Sequence, residues 1–179
     1  HTSWSLSDVD FQDGPYLEEN ATSTTLTPSH TSGSSQTITA SAITGINGGS
    51  GFLATDVGRH IRLEHSGTWG WAKITAVGST TSVTVDIESD FGGTGAVTAW
   101  RLGAFSGTTG FPRCLAFWDG RLWFAGTPEE PQTLQGSMSA NFETFSPTDT
   151  DGTVNDDNGC TFSISADQVN AILWMSSGR

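Results

Sequence analysis

Four histidines, His1, His30, His60 and His65, are the candidates for proton transfer. A catalytic histidine needs a partner placed by the fold, and the sequence has no Gly-x-Ser-x-Gly turn or nominated nucleophile to supply one. His60 and His65 fall on opposite faces of one strand-like stretch, so scattered surface histidines are expected. Glu64, Glu88 and Glu143 are the carboxylates available for glycoside hydrolysis, which needs two of them across a cleft. Each sits at a turn or polar strand position, where a solvated carboxylate is the ordinary case. The sequence predicts a non-catalytic chain that uses no cofactor.

Two acidic stretches have the composition of cation loops. Asp8-Val-Asp10-Phe-Gln-Asp13-Gly14 and Asp149-Thr-Asp151-Gly152-Thr-Val-Asn155-Asp156-Asp157 both gather carboxylates around a glycine. Neither has the Asp-x-Asp-x-Asp-Gly register or the closing bidentate glutamate of a calcium loop. Solvated loops are the expectation, with Asp149, Asp151, Asp156 and Asp157 the candidates for weak calcium binding. Trp69 and Trp71 flank Gly70 and point to one face of a strand, which makes them candidates for stacking on a sugar ring. Packing against a neighbouring strand is the competing expectation. Asn20-Ala21-Thr22 matches the glycosylation pattern, which arises by chance in a Thr-rich chain. No Cys/His spacing suggests zinc. Cys114 and Cys160 lie in apolar, strand-like contexts and are expected as two buried thiols rather than one bridge.

The elements that must hold these groups are strands. Ser, Thr and Gly form roughly two-fifths of the chain, a composition that favours strands and turns. Residues 1–30 show no sustained period and read as an extended connecting arm. From Gln36 the alternation is regular: Thr37–Ala40, His60–His65, Trp71–Val77, Val83–Ile87 and Ala96–Leu102 predict five strands. They make residues 31–103 a small antiparallel β-barrel or sandwich. Residues 104–179 read as the first part of a β-propeller-like sheet. There Phe111–Trp118 and Arg121–Ala125 meet at Asp119-Gly120, a type I′ hairpin signal because both central residues take positive φ. Both strands are apolar on nearly every residue, so the hairpin is expected to be covered on both faces. Thr133–Ser137, Thr161–Ser165 and Ala171–Met175 supply the further strands. The fold class is all-β.

Asp and Glu number 19 against 7 Lys and Arg, giving −12 overall, with Lys73 the single lysine. Tight binding to a phosphate backbone comes from basic residues displacing counterions, so a nucleic-acid reader is not expected. No run approaches the ~18 apolar residues of a membrane span, and nothing resembles a signal peptide. The chain starts at His1 and stops at Arg179 after an apolar run, which suggests a piece excised from a longer protein by cleavage after arginine.

Residues 111–179 resemble a segment of the tail nozzle proteins of short-tailed bacteriophages, also called tail tubular protein B. Phe111-Pro112, Phe117-x-x-Gly-Arg121-Leu122-x-Phe124 and Gly136-Ser137-Met-Ser-Ala-Asn141-Phe142-x-x-Phe145-Ser-Pro147 carry the likeness. Asp156-Asp157 and Ser165-x-Asp167-Gln168-Val169-Asn170-Ala171-Ile172 follow in the same order. Asp10-Phe-Gln-Asp-Gly-Pro-Tyr16 is similar to a stretch upstream of this block in phage and prophage proteins. The middle module is faintly similar to the small FCCH β domain of ubiquitin-activating enzymes. The resemblance implies a virion protein made in the bacterial host cytoplasm, forming a homo-oligomeric ring against other tail and connector proteins. Double-stranded DNA would pass without specific binding, and no membrane is involved. A carbohydrate- or receptor-binding β module is the alternative.

Overall fold

The computed structural model describes residues 9–165 and 170–177. Among them there is no α-helix, and no helix long and apolar enough to cross a membrane. The chain is all-β, in two sheets. The first contains β1 (Leu26–Pro28), β2 (Gly33–Ala40), β3 (His60–His65), β4 (Thr68–Ser79), β5 (Ser82–Ser89) and β6 (Trp100–Leu102). It is antiparallel throughout, in the order β1-β2-β5-β4-β3-β6.

Period-2 alternation builds this sheet. In β3, Ile61 and Leu63 face inward, joined by Ala72 and Ile74 of β4, Val83 and Val85 of β5, and Ile38 of β2. Phe52, Phe91 and Trp100 fill the space between them. Register shifts in the β4–β5 pair at Trp71/Ala72, Ile74/Ala76 and Val77/Ser79 let the long β4 bend. Gly70 permits that bend, since a Cβ there would collide with the Asp90 carbonyl oxygen.

The sheet curls until its edges meet. Leu26 and Val97 exchange N–H···O bonds of 2.9 and 3.0 Å, and Asn20 and Leu17 donate to the carbonyls of Trp100 and Leu102. Trp100 Nε1 donates to Thr24 O at 2.9 Å. Residues 16–28, which the sequence places in a connecting arm, therefore run along β6 and supply the sixth strand. Their partners near β6 lie about 70–85 residues away, which local periodicity cannot register.

The second sheet is a meander of β7 (Cys114–Trp118), β8 (Arg121–Ala125), β9 (Thr133–Gly136) and β10 (Cys160–Ser163), in the order β10-β9-β8-β7. Asp119 and Gly120 join β7 to β8 with φ of 52° and 68°. Ala171–Met175 is not a strand; Ile172 donates one backbone bond to Pro131 O. The four strands are already supplied by β7–β10. Leu122, Phe124 and Phe145 pack with Phe11 of the arm and Phe105 between β6 and β7, the four phenyl rings having centroids 5.5–6.0 Å apart. The hairpin is covered on both faces only along β8. β7 is the edge strand, and Leu115, Phe117 and Trp118 are 55%, 58% and 55% exposed.

Candidate functional site at the junction of the two sheets

The outer wall of the curled sheet is where the chemistry-bearing residues gather. Alternation turns His60, Arg62 and Glu64 outward from β3, yet Arg62 is buried. Its Nη2 donates to Thr148 O and Oγ1, both at 3.0 Å, and to Asp149 O at 3.3 Å. The guanidinium lies 5.0 Å from the Trp69 ring centroid and 5.9 Å from that of Tyr16. Burial lowers its pKa, against the opposing pull of Asp13 and Tyr16. Tyr16 donates to Asp13 Oδ1 at 2.5 Å, and burial followed by the Asp13 charge raises its pKa well above the usual phenol value. Thus a neutral phenol, a cation and an indole form one stack under the 148–158 loop.

Arg121, at the start of β8, holds the other end of that loop. It donates to the carbonyls of Ser137 (2.5 Å), Asn158 (2.6 Å), Asp156 (2.5 Å) and Asp157 (3.4 Å). Both arginines bind backbone rather than carboxylate, which leaves the acidic side chains facing outward. Asp149 accepts from the Asn155 and Asn158 amides at 2.8 and 2.9 Å, and Asp151 Oδ1 accepts from Thr153 N at 2.9 Å. That backbone bond lowers the Asp151 pKa. Asp149 and Asp151 border an open cleft of about 420 Å³, whereas Asp156 and Asp157 are exposed beside Arg121. Among the described residues no three His, Cys, Asp or Glu side chains gather as a metal site would require.

Trp69 and Trp71 share the outer face of β4, both half-buried. Trp69 lies against Arg62 through its ring, and its backbone N–H donates to Thr150 O at 2.6 Å. Trp71 packs on His60, ring centroids 5.0 Å apart, and borders a cleft of about 180 Å³ with Asp10, Gln12, Lys73 and Glu88. Lys73 Nζ pairs with Asp10 Oδ1 at 3.0 Å.

His60 and His65 are buried, which corrects the expectation of surface histidines. The arm covers His60, whose Nδ1 lies 3.2 Å from Gly14 N and 3.1 Å from Gly14 O, and burial lowers its pKa. His65 Nε2 is 2.9 Å from Gly95 O. His30 is exposed, and His1 lies outside the described residues. Glu64 turns to Gly67 N, Glu88 borders the Trp71 cleft, and Glu143 is exposed. Asn20 is part of the sheet closure. Its amide donates to Thr22 O, Thr24 O and Thr98 O at 3.0–3.1 Å, so glycosylation would sacrifice those bonds. Cys114 and Cys160 are free and half-buried, and burial raises both thiol pKa values.

Arg62 and Arg121 are the residues that sequence inspection misses. An arginine alternating with Ile61 and Leu63 reads as solvent-facing, and it is buried by the Trp69 and Tyr16 rings and by a loop some ninety residues away. No protein-family model matches the chain, and no curated protein matches it in sequence.

Proposed function

We propose that the chain is a structural, non-catalytic part of a bacteriophage tail of the nozzle type, helping to build the conduit through which DNA leaves. The observation that carries this is the four-stranded meander with apolar side chains on both faces. Leu115 and Phe117 lie on one face, and Trp118, Trp123 and Phe162 on the other. A propeller blade has this form, because a neighbour covers each of its faces. The outward carboxylates of the 148–158 loop add a surface that repels phosphate. The sequence likeness is densest over the same β7–β8 hairpin. Immunogold electron microscopy of particles from the source replicon, with antibodies to this chain, tests the proposal. Label at the tail tip is the expected result, and purified particles without label would overturn it.

A second reading, carbohydrate binding, has its own observation. The cleft beside Trp71 combines a half-buried indole with Asp10, Gln12, Lys73 and Glu88, the pairing of apolar face and polar rim that sugars require. Glycan-array binding abolished by Trp71→Ala would favour it over the structural role.

A further inference from the structure

A groove of about 810 Å³ separates the curled sheet from β7 and β8. That volume lies in the upper part of the range of small-molecule pockets, roughly 300–1,000 Å³. Val57 and Lys73 stand on one wall, and Phe105, Phe111, Leu115 and Phe117 on the other. Val57, Phe111, Leu115 and Phe117 are all more than half exposed. In a chain of net charge −12, the lining contains no carboxylate among the described residues. Its titratable groups among the described residues are the chain's single lysine and the buried His60.

Lys73 stands at the mouth, where its partner Asp10 is 80% exposed and Lys73 itself 40%. An ion pair so exposed contributes little, so another carboxylate can take the place of Asp10 at small cost. The apolar walls meanwhile stay in contact with water unless something covers them.

We propose that this groove binds a free medium-chain alkyl carboxylate, the chain lying between Val57 and Phe117 and the head group on Lys73. The charge pattern selects this occupant. One cation among apolar walls matches one anionic head on an apolar body, while a second copy of the chain would bring −12 of like charge. The proposal is independent of the role in a phage tail.

Calorimetric titration with decanoate, and with decanol as the uncharged control, tests it. Saturable binding of one decanoate per chain is expected. Lys73→Gln weakens decanoate about tenfold, the loss of one charge-assisted hydrogen bond, and leaves decanol unchanged. Asp10→Asn strengthens decanoate severalfold, because it removes the competing carboxylate. Phe117→Ser weakens both ligands about tenfold, and its exposed position spares the fold, which circular dichroism checks. Absence of saturable heat, or equal affinity for decanoate and decanol, would overturn the proposal. So would a wild-type dimer mass by light scattering that Phe117→Ser returns to monomer, since the groove would then be a self-association surface.

Discussion

Removing an ionisable side chain from water ties its protonation to folding, and the sign differs between acids and bases. Glu130 Oε2 is buried without a hydrogen-bond partner, and burial, then Glu18 and Glu129, raise its pKa above 4.5. A raised folded pKa means that the stability linked to this group is complete below the unfolded value and lost as pH rises through the folded one. Glu130→Gln should therefore raise the melting temperature at pH 7 and bring no gain near pH 4, read by thermal scans across that range. His60 has the opposite sign. Burial depresses its pKa below 6.5, so its contribution is complete above that value and is lost as pH falls through the folded pKa. Wild-type melting should decline from pH 7 toward pH 5, and His60→Gln should flatten the decline. Arg62 acts through geometry instead. Arg62→Met leaves the Thr148 and Asp149 carbonyls unmatched, at about 2–3 kcal/mol, or roughly 5–10 °C for a chain of this size. Thermal denaturation measures that loss, and an unchanged midpoint would mean that the 148–158 loop is not anchored through Arg62.

At the scale of elements, the strands most legible in sequence are those whose alternation is enforced by one buried face. Ile61 and Leu63 announce β3, and Val83 and Val85 announce β5, because each pair faces the same core. β1 is illegible for the converse reason. Its three residues Leu26–Pro28 gain their role from Ala40 and Val97, and no local pattern carries that pairing. Apolarity misleads at two places. Ala171–Met175 looks like a strand yet pairs with none, and Leu115 and Phe117 look interior yet sit on an edge strand. The turn at Asp119-Gly120 is legible because its chemistry is local. A Cβ on Gly120 would meet only Ser139 Oγ at 3.8 Å, so space does not forbid a side chain there, whereas the φ of 68° does. Gly120→Val should cost about 1–2 kcal/mol through the left-handed conformation, and its β branch adds to that. Hydrogen exchange should quicken in β7–β10 while β2–β5 stay protected by their own core. Wild-type exchange in β7 and β8 would mean that the turn tolerates valine.

For the whole molecule, the arrangement of charge matters more than its sum. Arg59 lies buried against Asp56 at 3.0 Å, Arg62 is buried under the 148–158 loop, and Arg121 is bound to carbonyls. Lys73 and Arg101 pair with Asp10 and Glu19. Among the described residues the cations are thus mostly internal or paired, Arg113 being the exposed exception, while Asp149, Asp151, Asp156 and Asp157 face solvent. The surface a passing polyanion meets is more acidic than the composition alone conveys. Attraction to duplex DNA requires accessible Lys and Arg to displace counterions, and among the described residues few are accessible. The chain should leave DNA mobility unchanged in a gel shift at low micromolar protein and ~150 mM salt, where the screening length is ~8 Å. Lowering the salt lengthens the reach of the carboxylates, so retention should stay absent there too. Replacing Asp149, Asp151, Asp156 and Asp157 by lysine should create salt-sensitive retention although the chain stays acidic overall. That would locate the repulsion in the loop held by Arg62 and Arg121. Retention by the wild-type chain would mean that a cationic surface exists which these contacts do not neutralise.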